Sequence, residues 1–106
     1  MSTTLVRLCG VDDVAAGMAR RVSAPGYEPL AVVRLGDAWH VIADTCTHGM
    51  ASLSEGDIED GQIFCPFHGG AFDIATGAPT ERPCVKAIAT YPAVVVDGAV
   101  HVEARG

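Results

Sequence analysis

Two short stretches decide the reading of this chain: CTHGM at residues 46–50 and CPFHGG at residues 65–70. Each offers one thiol and one imidazole, Cys46 with His48 and Cys65 with His68. Both lie in a loop-rich middle. From Asp44 to Thr80 glycine recurs at 49, 56, 61, 69, 70 and 77, and only QIFC (62–65) and AFDI (71–74) have strand character. Toward the N-terminus, LVRL (5–8), MARRV (18–22), PLAVVRL (29–35) and AWHVIA (38–43) predict strands, with residues 30–43 forming a hairpin that turns at Gly36-Asp37. Toward the C-terminus, TYPAVVV (90–96) and AVHVEA (99–104) flank a second hairpin turn at Asp97-Gly98. VDDVAAGMA (11–19) has room for at most one helical turn before Gly17. The pattern predicts an all-β chain. An antiparallel sandwich or barrel base, whose terminal strands pair, carries an inserted site-bearing subdomain at about residues 44–80.

With 106 residues, half of them apolar, residues 1–106 are expected to form a single domain with a modest core. Seven Lys+Arg against thirteen Asp+Glu give a formal net charge of −6. That balance argues against nucleic acid or an anionic membrane as a partner, because phosphate binding needs clustered cations. A basic docking surface on another protein fits better. The start MSTTLVRLCG lacks a long apolar segment, and no later apolar run approaches the roughly 20 residues that span a bilayer. The expectation is a soluble cytoplasmic protein.

In a reducing compartment, metal ligation is the expected use of the four cysteines, rather than two disulfides. Thiolate and imidazole together suit zinc, copper or iron–sulfur chemistry, whereas hard ions call for carboxylates. The residue types do not choose among these. A structural zinc knuckle pairs its ligands across about two to four residues, and CxH is a tight fit around one ion. CxH followed after sixteen intervening residues by CxxH makes geometric sense if two irons lie side by side and each loop sends its Cys to one and its His to the other. Cys9 and Cys84 have no His beside them and read as ordinary buried or half-buried thiols.

CTHGMASLSEG and CPFHGGAFDIATG resemble the two ligand loops of Rieske [2Fe-2S] proteins. The resemblance takes in LSEG (53–56), the strand leading into CPFH, the FDIATG run ending on Gly77 and the Tyr91-Pro92 pair, and it extends over essentially the whole chain. It implies a Rieske-type fold and one [2Fe-2S] cluster, with Cys46 and Cys65 on an inner iron and His48 and His68 on an outer one. Neutral imidazoles in place of two thiolates remove negative charge, so the added electron is less repelled. Gly49, Gly69 and Gly70 then suit a close approach of backbone N–H groups to bridging sulfides. Phe67 and Met50 are expected to shield the cluster, and Pro79 or Pro83 to belong to a covering loop. The respiratory Rieske proteins carry an additional Cys in each ligand loop, where this chain has Ala51 and Phe67, and a hydroxyl where it has Gly70. Fewer hydrogen bonds to the sulfurs predict a low potential, on the order of −150 mV.

The resemblance implies a small electron-carrying ferredoxin rather than an enzyme. Its partners would be an NADH-dependent flavoprotein ferredoxin reductase and a terminal aromatic-ring-hydroxylating oxygenase, and it would work as a monomer. No nicotinamide or flavin fingerprint is present in the sequence. A structural zinc module and a nitrite reductase small subunit are the competing readings. Glu55, Asp57, Glu59 and Asp60 form an acidic segment between the ligand loops, which either is simply solvated or steers a basic partner. His40 and His101 read as surface or edge histidines and Trp39 as a packing residue.

Overall fold

The computed structural model describes residues 4–47, 51–66, 69–82, 84 and 86–104. Its strands, in chain order, are β1 (Leu5–Gly10), β2 (Ala19–Val22), β3 (Leu30–Leu35), β4 (Ala38–Ala43), β5 (Ile58–Glu59), β6 (Gln62–Phe64), β7 (Ala71–Asp73), β8 (Pro79–Glu81), β9 (Thr90–Tyr91), β10 (Val94–Val96) and β11 (Ala99–Glu103). Helix among the described residues is confined to single 3-10 turns at Val11–Asp13 and Leu53–Glu55. Neighbouring strands are antiparallel throughout three sheets, ordered β1-β11-β10, β2-β3-β4-β9 and β5-β6-β7-β8. The expected all-β class and the pairing of the terminal strands are both present, with Leu5 opposite Glu103 and Gly10 opposite Ala99.

The central sheet has apolar residues on both faces, which explains the unbroken LAVV run in β3. Successive side chains of a strand point to opposite faces, and cross-strand partners share a face. Val32 and Val41 are such a pair and, with Leu30, pack on Cys9, Val100 and Val102 from the terminal sheet and on Val14 just after the first 3-10 turn. Ala31 and Ile42 pair across the same strands and, with Val33, face Leu53, Ile63, Phe72, Ile74, Cys46 and Cys65. One sheet therefore serves as floor to the base and to the inserted segment. The link is reinforced at β9, where Tyr91 meets Tyr27 edge to face at 5.1 Å and donates its hydroxyl to Glu28 at 2.6 Å.

The stretch TYPAVVV is not one strand. Pro92 has no N–H to donate to a ladder, and the chain changes sheets there: Thr90 and Tyr91 pair with β4, whereas Val94–Val96 pair with β11. Two strands escaped the sequence reading, β5 and β8, each short and at an edge of its sheet. The signal for β5 was Asp60-Gly61. This pair adopts positive φ angles of 52° and 76°, nearly the 52° and 73° of Asp97-Gly98, the hairpin turn that was expected.

Candidate metal centre

The first candidate loop leaves β4 under close backbone control. Asp44 N–H donates to Pro29 O at 2.9 Å, Thr45 forms an isolated antiparallel bridge with Ser52, and Cys46 N–H donates to Ala51 O at 3.0 Å. The Asp44 carboxylate, only 1 % exposed, holds the return limb. It accepts the Ser52 hydroxyl on Oδ2 and Ser54 N–H on Oδ1 at 2.8 Å, and the Arg21 Nε lies 3.5 Å from Oδ2. A buried carboxylate is tolerable only with such donors. Asp44 was missed as a site residue. Its signal was an acid immediately before CTH, with serines eight and ten residues further on.

The second loop connects β6 to β7 and is closed by Cys65 N–H donating to Gly70 O at 2.6 Å and Gly69 N–H donating to Cys65 O at 3.3 Å. Cys46 and Cys65 are each 2 % exposed, form no disulfide, and belong to one buried cluster with Leu53, Ile63 and Phe72. The two sequence-distant thiols thus come into a single dry environment. His48 and His68 lie outside the described residues, as do Gly49, Met50, Phe67 and Pro83. Pro79 is placed in β8, opposite Phe72. Glu55, Asp57 and Glu59 are exposed and, with Phe64, Cys65 and Pro66, line a cleft of about 410 Å³ beside the second loop.

Cys84 is buried, as expected, and its Sγ lies 3.8 Å from Cys46 Sγ, a contact the sequence did not show. Burial, then the hydrogen bond to Cys46, then the charges of Cys46 and Cys65 push the Cys84 thiol up to about 12. The same contact gives a steric reason for Gly70: a Cβ there would sit 2.3 Å from Cys84 Sγ and 3.1 Å from Cys84 N. No hydroxyl-bearing side chain fits at that position. Thr47 ties the first loop to the same segment by donating its hydroxyl to Lys86 O at 2.6 Å.

The remaining expectations are simpler. Trp39 is half-buried against the base core, with the Arg34 guanidinium 5.4 Å from its ring centroid. His40 and His101 are half-buried strand residues, and His101 Nδ1 is 3.1 Å from Ala99 O. Cys9 is surrounded by apolar side chains of the base. No helix among the described residues is long and apolar enough to cross a membrane.

Sheet order, the two looped limbs and the paired buried thiols define an iron–sulfur protein of the Rieske type. The chain belongs to the Rieske [2Fe-2S] domain family, whose pattern matches residues 4–92. It is 44 % identical over 102 residues to ferredoxin CarAc of Metapseudomonas resinovorans, covering 96 % of this chain and 95 % of that one. The ferredoxin of Sphingomonas yanoikuyae B1 superposes with a TM-score of 0.92 at 40 % identity, covering 96 % of this chain and 100 % of that one. The chain matched in a complex of oxygenase and ferredoxin in carbazole 1,9a-dioxygenase superposes with a TM-score of 0.87 at 43 % identity, covering 96 % and 94 %. A protein assigned as a nitrite reductase small subunit, from Mycobacterium tuberculosis, shares the fold at 22 % identity, a TM-score of 0.84 and coverage of 100 % and 99 %.

The cofactor of this family is one Rieske-type [2Fe-2S] cluster, which replaces the structural-zinc reading. The described donors fit it: two water-excluded thiols in a shared core, neither in a disulfide, are suitable soft ligands once deprotonated. When bound, such a cluster accepts and releases one electron at a time.

Proposed function

We propose that the chain is the ferredoxin component of a multicomponent aromatic-ring-hydroxylating dioxygenase system. It takes single electrons from an NADH-dependent flavoprotein reductase and passes them to a terminal oxygenase. In this reading residues 1–106 form one Rieske domain, acting as a cytoplasmic monomer. Cys46 and Cys65 hold the inner iron and His48 and His68 the outer one. The observation that carries the proposal is likeness along nearly the full length of both chains to a ferredoxin structurally characterised with its oxygenase.

The chain's own residues have definite tasks in this scheme. Burial of Cys46 and Cys65 keeps water from the inner sulfurs, which protects them from exchange and hydrolysis. The Asp44 network and the Thr47 tether hold the first loop against its neighbours, so little rearrangement accompanies the gain of an electron. Glu55, Asp57 and Glu59 place negative charge beside the second loop and attract a basic partner surface, with salt-sensitive association.

Metal analysis and reconstitution test the proposal. The purified protein is expected to contain iron and acid-labile sulfide, to bleach on reduction, and to couple NADH oxidation by a flavoprotein reductase to ring hydroxylation by a dioxygenase. About one zinc per chain, with neither iron nor sulfide, would refute the cluster. A normal cluster that accepts no electrons from reductases of this class would refute the partnership.

A further inference from the structure

We propose that Cys84 is a positioning residue of the electron-transfer centre: its S–H donates a hydrogen bond to Cys46 Sγ and thereby raises the reduction potential. This rests on the assignment of Cys46 as an iron ligand.

Geometry supplies the contact and chemistry supplies its direction. The two sulfurs are 3.8 Å apart, within reach of a thiol hydrogen bond, and between two protonated thiols either could donate. Ligation removes that ambiguity. A metal-bound Cys46 is a thiolate with no proton, so only Cys84 can be the donor. Cys84 is 4 % exposed, so water does not compete for either sulfur. The segment is also built to bring it there. Cys84 N–H donates to Glu81 O at 3.1 Å, and Thr47 clasps Lys86 O at 2.6 Å. Gly70 leaves open the space its own Cβ would need, 2.3 Å from Cys84 Sγ.

A donor aimed at a ligating sulfur withdraws electron density from it. Reduction makes that sulfur more negative, so the hydrogen bond stabilises the reduced state more than the oxidised state and the midpoint rises.

The test uses the full-length, cluster-loaded protein as wild type, Cys84→Ala and Cys84→Ser. Film voltammetry is expected to give a more negative midpoint for Cys84→Ala, with Cys84→Ser much closer to wild type because its hydroxyl still donates. Resonance Raman spectra in H₂O and D₂O are expected to show a solvent-isotope shift of an Fe–S(Cys) stretch that is present in wild type and lost in Cys84→Ala. A Cys84→Ala protein with wild-type midpoint and wild-type isotope shift overturns the proposal. If Cys84→Ala fails to assemble its cluster, the Raman test is read on wild type itself, where an Fe–S(Cys) stretch with no solvent-isotope shift overturns the proposal equally. Absence of a Rieske spectrum in wild type would instead overturn the ligand assignment, so the two failures are distinguishable.

Discussion

Cys9 and Cys84 are almost equally buried, at 3 % and 4 % exposure, and they sit in the cores on opposite faces of the central sheet. Their surroundings could hardly differ more. Cys9 packs among Val14, Val32, Val41, Val100 and Val102, and its thiol is pushed up chiefly by burial and then by Asp13. Cys84 rests against another sulfur. In the base core a thiol is a small hydrophobe; in the other core the same group is in contact with a second sulfur. Burial alone does not assign a role to a cysteine, because the identity of the neighbouring atom decides whether its proton has an acceptor.

The sharpest way to break this division is through the histidines. His48→Ala or His68→Ala is expected to abolish the Rieske EPR signal, whereas His40→Ala and His101→Ala, both in base strands, keep it; a normal signal from His68→Ala would contradict the assignment. Next come the apolar anchors of the two cores. Phe72→Ala is expected to cost about 3–5 kcal/mol and Leu30→Ala about 2–5 kcal/mol, since both side chains are fully buried. Urea unfolding followed by cluster absorbance and by far-UV dichroism should separate for Phe72→Ala, the cluster failing first. Coincident curves would merge the two cores into one cooperative unit.

A smaller effect is expected at Asp44, where Ala leaves the Ser52 hydroxyl, Ser54 N–H and Arg21 without their acceptor. The expected loss is about 1–3 kcal/mol by chemical denaturation, with Asp44→Asn milder because one carbonyl acceptor survives. Cys9 gives a pH-dependent effect in the cluster-free protein. Its folded pKa is raised above the ordinary 9.0, so its contribution is complete below about pH 9 and is lost as pH rises through the folded value. Cys9→Ala is expected to flatten the alkaline decline measured by thermal unfolding; an unchanged slope would remove Cys9 from that linkage. The smallest change is expected from charge reversal at Asp57 and Glu59, which should weaken the ionic-strength dependence of electron transfer with little effect on stability.

Much of the centre was legible before any fold was known. A thiolate and an imidazole in each of two loops restrict the chemistry, since few metal centres use that pairing twice, and the alternating and turn-bounded strands announced an all-β frame. The misreadings have local causes. TYPAVVV looked continuous because periodicity registers side chains, whereas the break at Pro92 comes from a missing N–H. β5 is only two residues long, too short for alternation to register, and its one signal was the Asp60-Gly61 turn.

What the sequence by itself determined is therefore the β class and the main hairpin turns, together with the proposed donor set Cys46, His48, Cys65 and His68, because these depend on residue chemistry and short-range backbone preference. Tertiary structure decided what depends on contacts between distant segments: that one sheet floors two cores, that Asp44 anchors the first loop, and that Cys84 arrives from 38 residues beyond Cys46 to meet its sulfur. Such a meeting leaves no periodic trace, since it requires only that two backbones converge and that position 70 carry no side chain.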